Sequence, residues 1–215
     1  LVFVSGCARE ELNEMEAEAA VPVVDETGIQ TLLSYMAPRS TQKTMGLADI
    51  TITPHFQNWL TANGYGSYNF SNPNIDGDSY GGKASNATPV NRQPVIFIHG
   101  NSDKAVGYLG TTMSGWTGSL NHFHSKGYTE AELYAVTWGD ANPLQSANQS
   151  HSKENLIRLR AFVEAVIAYT GANKVDIVTH SMGVTLLRKV IEGGSTYAPA
   201  HGTYNLGPSL TNNVA

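Results

Sequence analysis

The chain has 215 residues, of which 41% are hydrophobic, enough for one large domain with a sizeable core. Charged residues make up only 14% of it, and the formal net charge of −5 gives no reason to expect nucleic acid as a partner. The single cysteine, Cys7, excludes an internal disulfide and a cysteine-based zinc site, and no apolar run reaches the roughly 20 residues that span a bilayer.

Residues 1–30 are predicted to be a signal remnant followed by an acidic spacer. The first seven residues, LVFVSGC, are apolar and end in small residues before Cys7, which looks like the tail of a bacterial lipoprotein signal. A frayed apolar terminus with an incidental thiol is an equally weighted alternative. The lipoprotein interpretation predicts a secreted or extracytoplasmic protein, held at a membrane by a lipidated Cys7.

Residues 31–93 are predicted to be a loop-rich extension wrapped on the main domain. Their hydrophobic periodicity is poor, and Gly, Asn, Ser and Pro are common among them. The stretch GYGSYNFSNPNIDGDSYGG is typical of turns packed by aromatic side chains.

From residue 94 onward, short apolar strands alternate with helices. Strands are predicted over 94–98, 132–138 and 175–178, and helices over 118–126, over 153–169 and from the serine at 181 to Gly193. This alternation, with short connections, predicts right-handed β–α–β units and a mostly parallel sheet with helices on both faces. Ligands of such sheets bind beyond the carboxyl ends of the strands. Three polar residues fall at those ends: Asn101, Asp140 and Ser181.

The stretch that organises the domain is the turn between the strand at 175–178 and the helix that follows. Its residues are Thr179, His180, Ser181, Met182 and Gly183. A strand that turns directly into a helix around a serine is the context of a nucleophile elbow, which lifts the hydroxyl above the sheet. Gly183 meets the need for a small residue there, whereas Thr179 departs from the usual glycine.

Acyl transfer by a serine also needs two N–H groups that stabilise the oxyanion. The backbone N–H of Met182, the residue after the nucleophile, is one expected donor. The second donor is expected from the loop after the strand at 94–98, which carries His99, Gly100 and Asn101. We assign it to the N–H of Asn101, because Gly100 lets the backbone turn tightly.

The stretches PVIFIHGN and AYTGANKVDIVTHSMGV resemble the α/β-hydrolase core of the class 2 lipases. This group includes bacterial lipases, nematode lipase-like proteins and an extracellular poly(3-hydroxybutyrate) depolymerase. The resemblance covers roughly residues 94–194 and implies Ser181 as the nucleophile, with the Asn101 and Met182 amides as the oxyanion hole. His99, Gly100, Thr179, His180 and Gly183 would support them.

In this fold the catalytic acid and histidine follow the serine in the chain. After Ser181 the sequence holds no Asp, one Glu (Glu192) and one His (His201). Glu192 lies about three turns down the helix, away from the site, and His201 follows too soon for another strand to form before it. We therefore expect residues 94–215 to be the N-terminal part of the hydrolase core, inactive by itself, with the acid and base beyond Ala215.

The acidic residues and histidines that precede Ser181 are expected to have structural roles. Asp103 and Asp140 precede the serine and are expected to have surface or loop-capping roles. His122 and His124 lie two apart on a predicted helix, so they diverge, and no metal or other cofactor is predicted.

These features predict a serine carboxylic-ester hydrolase, a lipase or esterase with a lipid or ester substrate. Two alternatives stay open. A polyester depolymerase would use the same mechanism, and a non-catalytic hydrolase-like binding protein would keep the elbow without the triad.

Overall fold

The computed structural model describes residues 2–3, 51–71, 79–107, 109 and 113–215. Its helices are α1 (Pro54–Ala62), α2 (Thr117–Ser125), α3 (Lys153–Thr170) and α4 (Met182–Glu192). Its strands are β1 (Val2–Phe3), β2 (Val95–Ile98), β3 (Leu133–Val136), β4 (Asp176–Thr179), β5 (Ser195–Ala198) and β6 (Gly202–Asn205). Cys7 and the predicted acidic spacer lie outside the described residues.

The predicted parallel sheet is confirmed, with strand order β1–β4–β2–β3 and parallel pairing throughout. Ile98, the last residue of β2, lies opposite both Val136 of β3 and Thr179 of β4. The carboxyl ends of β2, β3 and β4 are therefore level. The loops that follow them leave the sheet side by side, which brings the predicted site residues to one edge.

Helices cover both faces of this sheet, and the two faces have separate apolar cores. Ile96 and Ile98 of β2 pack among residues of α1, α3 and α4. Val95 and Phe97 point the other way and pack with Leu120 of α2. All four side chains of β2 are buried, which is why this strand is a continuous apolar run and not an alternating one.

Helix α3 begins and ends where the sequence predicts, because both ends carry capping residues. The Ser152 hydroxyl accepts a hydrogen bond from the Asn155 N–H at 3.2 Å, and Gly171 adopts a left-handed conformation with φ of 70°. Its N–H donates to the Ile167 carbonyl at 3.0 Å, a common helix C-terminal arrangement.

Helix α1 lies inside the segment predicted to be loop-rich, and the sequence analysis did not anticipate it. The Thr53 hydroxyl caps it by accepting from the Phe56 N–H at 3.1 Å, and Pro54 is its first residue. Phe56 and Leu60, one helical turn apart, are both buried. The Phe56 ring stacks on Tyr169 of α3 with ring centroids 4.4 Å apart.

The prediction that no strand forms between α4 and His201 is wrong. Strands β5 and β6 pair as an antiparallel hairpin, and His201 lies in the turn between them. Each strand has only four residues, and Pro199 in the turn and Gly202 at the start of β6 made the stretch look irregular. Further along, Val214 pairs in parallel with Val175, ahead of β4.

No helix in the described ranges is long and apolar enough to cross a bilayer. Within those ranges, no group of three or more His, Cys, Asp or Glu side chains is arranged to hold a metal ion.

Candidate active site

Ser181 occupies the sharp turn between β4 and α4. Its backbone has φ of 53° and ψ of −130°, a conformation that residues with a Cβ rarely adopt. The turn is held from both sides: the His180 N–H donates to the Ile98 carbonyl at 3.1 Å, and the Val184 N–H donates to the Ser181 carbonyl at 3.0 Å. Ser181 is exposed, so its hydroxyl lies at the surface above the carboxyl end of the sheet.

Met182 is the first residue of α4, and its N–H belongs to the helix N-terminus, where the peptide dipoles concentrate positive potential. Among the described residues, neither the Met182 N–H nor the Asn101 N–H donates to another protein atom. Two free amides beside one hydroxyl are what an oxyanion hole requires.

The loop after β2 passes directly over the serine turn. A Cβ built on Gly100 would lie 2.9 Å from the Ser181 Cβ and 2.9 Å from His180 Nδ1. Only glycine permits that approach. Asn101 follows it, and its side-chain amide donates to the Ser146 carbonyl at 2.9 Å.

Gly183 permits a second close approach, between α4 and the end of β2. A Cβ at Gly183 would overlap the His99 carbonyl oxygen and would lie 3.1 Å from that of Ile98. Thr179, at the position where glycine is usual, is buried. The elbow conformation of Ser181 forms beside it, so a β-branched residue is tolerated there.

His99 is buried under the same loop, with only 1% of its surface exposed. Its ring stacks on the indole of Trp138, with ring centroids 5.2 Å apart and planes 3° from parallel. Burial lowers the pKa of His99 to about 4, although a hydrogen bond to the Gly100 carbonyl opposes the shift. His99 is therefore neutral at neutral pH and serves as a hydrogen-bonding group.

The loops enclose a cavity of about 300 Å³ around the serine. Ser181, Gly100 and Asn101 line it, as do His180 and Asp103. A larger cavity of about 460 Å³ lies at the amino ends of the strands, lined by residues 90–94 and 170–174. The smaller cavity is the better candidate for the active site, because of these two it alone is lined by Ser181 and by Asn101, whose N–H is free.

The two side chains after Ser181 that could act as acid or base, Glu192 and His201, pair with other residues. Glu192, at the end of α4, is exposed and forms an ion pair with Lys189 at 3.3 Å. His201 instead pairs with Glu154, at 2.7 Å between Nε2 and Oε1. The expectation that the acid and base lie beyond Ala215 stays a prediction.

Asp103 and Asp140 cap their loops, as the sequence indicated. Asp103 accepts a hydrogen bond from the Lys104 N–H at 2.9 Å, and Asp140 accepts one from the Asn142 N–H at 3.1 Å.

Four cavity residues were missed by the sequence analysis: Ser102, Met113, Pro143 and Ser146. Ser102 directly follows Asn101, whereas Pro143 and Ser146 are distant in the chain. Pro143 and Ser146 belong to a short 3₁₀ helix, Pro143–Asn148, whose first residue is the proline and whose Asn142 cap is a recognisable local signal. No local signal places it beside Asn101, because the contact spans 45 residues of chain.

A family model described as lipase (class 2) matches residues 92–215. The match begins just ahead of β2 and covers β2, β3, β4 and the serine turn. It spans more than half of the chain, and the parallel sheet with helices on both faces agrees with it. The chain belongs to the class 2 lipase family, an α/β-hydrolase group of ester-cleaving enzymes.

Proposed function

We propose that this protein hydrolyses carboxylic esters through an acyl-enzyme formed on Ser181. The observation that carries the proposal is the backbone of Ser181, which holds an exposed hydroxyl in a rarely populated conformation at the N-terminus of α4. Such strain of about 1–3 kcal/mol persists where the surrounding structure imposes it, and it concentrates at functional sites. Membership of the class 2 lipases supports the same reaction class.

The proposed reaction has two stages. Ser181 Oγ attacks the ester carbonyl carbon, its proton passes to a general base, and the N–H groups of Asn101 and Met182 stabilise the oxyanion. The C–O bond to the alcohol then breaks, and the alcohol leaves with the proton from the base. Water attacks the acyl-enzyme by the same route and releases the carboxylic acid.

The proposed substrates are lipid or small carboxylic esters. A polyester such as poly(3-hydroxybutyrate) would react by the same two stages, so the mechanism alone does not separate these classes. Rates on p-nitrophenyl esters of increasing acyl length, measured beside the clearing of a polymer film, distinguish them. Clearing of the film without hydrolysis of soluble esters would favour the depolymerase.

The nucleophile is tested with Ser181→Ala in the full-length protein, which would include the acid and base expected beyond Ala215. We expect a fluorophosphonate to label wild type at Ser181 and not to label the variant. The kcat of the variant should be at least about 10³-fold lower. Ser85→Ala, which removes another exposed serine hydroxyl away from the cavity, is the matched control and should behave as wild type. A wild-type protein that binds esters but neither hydrolyses them nor reacts with the probe would instead be a hydrolase-like binding protein.

A further inference from the structure

His99 makes a more specific set of contacts than a buried histidine needs for packing. Its Nε2 lies 3.0 Å from the Trp138 backbone nitrogen, and its Nδ1 lies 2.6 Å from the Gly100 carbonyl oxygen. The Trp138 indole N–H in turn donates to the His99 carbonyl at 2.9 Å. The two residues, 39 positions apart in the chain, are therefore joined by stacking and by two hydrogen bonds, both donated by Trp138 and accepted by His99.

These contacts determine which nitrogen of His99 carries the proton. A backbone N–H can only donate, so Nε2 must accept from Trp138 with its lone pair. A neutral imidazole has one N–H, which must then be on Nδ1. That N–H donates to the Gly100 carbonyl, because a carbonyl can only accept.

The Gly100 carbonyl and the Asn101 N–H belong to one peptide unit. The unit is planar and trans, so its C=O and N–H point in opposite directions, and holding one fixes the other. The C=O points toward buried His99, so the N–H points away from it, toward the cavity that Gly100 and Asn101 line. We propose that His99 is a positioning residue, whose Nδ1–H locks this peptide with the Asn101 N–H directed at the oxyanion.

The loop needs such a lock. Gly100 has no Cβ to restrict rotation on one side of the peptide. On the other side Ser102 has φ of 57°, a strained value for a serine. The Asn101 side chain is held by Ser146 and by the Ser102 hydroxyl, but neither contact restrains the Gly100–Asn101 peptide itself.

Two substitutions test the roles of Nδ1 and Nε2 of His99 separately. The amide nitrogen of His99→Asn lies as many bonds from Cβ as Nδ1 does, so it can still donate to the Gly100 carbonyl. The amide oxygen of His99→Gln corresponds to Nε2, so it can accept from Trp138 but leaves the Gly100 carbonyl without its donor. Both variants lose the stacked ring, which makes each a control for the other.

In the full-length protein, we expect His99→Gln to lower kcat by about 10- to 100-fold with KM changed less than about 2-fold, since loss of one oxyanion donor reduces kcat by about 10²- to 10³-fold. His99→Asn should retain about 10-fold more kcat than His99→Gln, with fluorophosphonate labelling in the same order. Tyr134→Phe removes a buried hydrogen bond to the Ala131 carbonyl and should lower Tm without lowering kcat. Equal kcat in the two His99 variants would overturn the inference.

The inference about His99 rests on the proposed function, and NMR tests the tautomer of His99 independently of ester hydrolysis. In ¹⁵N-labelled wild type, His99 should show a protonated Nδ1 and an unprotonated Nε2 at neutral pH. The opposite tautomer, or a rapidly averaging ring, would overturn the inference even in an active enzyme. A protein that neither hydrolyses esters nor reacts at Ser181 would overturn the proposed function instead, and the tautomer would still decide whether His99 holds the peptide.

Discussion

At the scale of single residues, the site depends on groups held in forms they would not adopt in a free chain. Ser181 has a positive φ without being a glycine, and burial keeps His99 neutral below pH 6.5, where an exposed histidine would become charged. Both arrangements require the ends of β2, β3 and β4 to be in register. A single change at this edge therefore affects stability and chemistry together.

The lowered pKa of His99 predicts a pH-dependent stability. The folded-state pKa of about 4 lies below the ordinary value of 6.5, so the unfolded chain binds the proton first as pH falls. The contribution of neutral His99 to the free energy of unfolding is complete above about pH 6.5. It is lost progressively as the pH falls to about 4, and the loss reaches about 3 kcal/mol. Urea unfolding of wild type and His99→Asn across this range measures it. An identical pH dependence in both proteins would contradict the assignment.

At the scale of secondary-structure elements, the site exists because a helix starts almost in contact with the end of a strand. Helix α4 approaches β2 so closely that the His99 carbonyl occupies the space of a Gly183 side chain. The approach places the start of α4, with its free Met182 amide, beside the loop that carries Asn101. The glycine two residues after the serine is thus required by the packing of α4 on β2.

Gly183→Ala tests this packing. The added methyl group would overlap backbone atoms that cannot move independently, so we expect about 1–3 kcal/mol lower free energy of unfolding and a reduced kcat. Gly118→Ala is the matched control, because Gly118 is likewise the second residue of a helix but has only Leu109 nearby, at 3.8 Å. It should stabilise the protein by about 0.5–1 kcal/mol. Thermal unfolding and ester hydrolysis of both variants provide the comparison.

At the scale of the whole molecule, the segment before the family match is part of the folding unit. Helix α1 lies ahead of residue 92, where the match begins, yet Phe56 packs edge-on against Tyr134 and Phe162 in the core under the sheet. The polar cluster of His55, Tyr169 and Asn86 covers the same contact. Residues 51–71 therefore stabilise the face of the sheet that α3 and α4 cover.

Phe56→Ala tests this conclusion. Removing a fully buried phenylalanine should lower the free energy of unfolding by about 3–5 kcal/mol in a single cooperative transition. Leu144→Ala removes a large side chain that is 90% exposed and should change it by less than about 0.5 kcal/mol. Denaturant unfolding followed by fluorescence and by circular dichroism measures both. A Phe56→Ala protein with wild-type stability would show that α1 is a dispensable attachment.

Helix α1 also shows where sequence reasoning was incomplete. Its signals are present in the chain: a capping Thr53, Pro54 at the first helical position, and Phe56 and Leu60 one turn apart. They were outweighed by the Gly, Asn and Ser residues around them, because a nine-residue helix offers only two turns of periodicity.

Local patterns alone determined the parallel sheet and the serine turn. Val95–Ile98 is apolar throughout because both faces of β2 are buried, and Ser181 with Gly183 fits the tightest connection of a strand to a helix. Only the tertiary structure decided which nitrogen of His99 carries a proton, and that Ser146 holds Asn101. The contact of His99 with Trp138 spans 39 positions of the chain, and the contact of Asn101 with Ser146 spans 45. Hydrophobic periodicity reports whether a residue is buried, whereas hydrogen-bond partners are set by the loops that the sheet brings together.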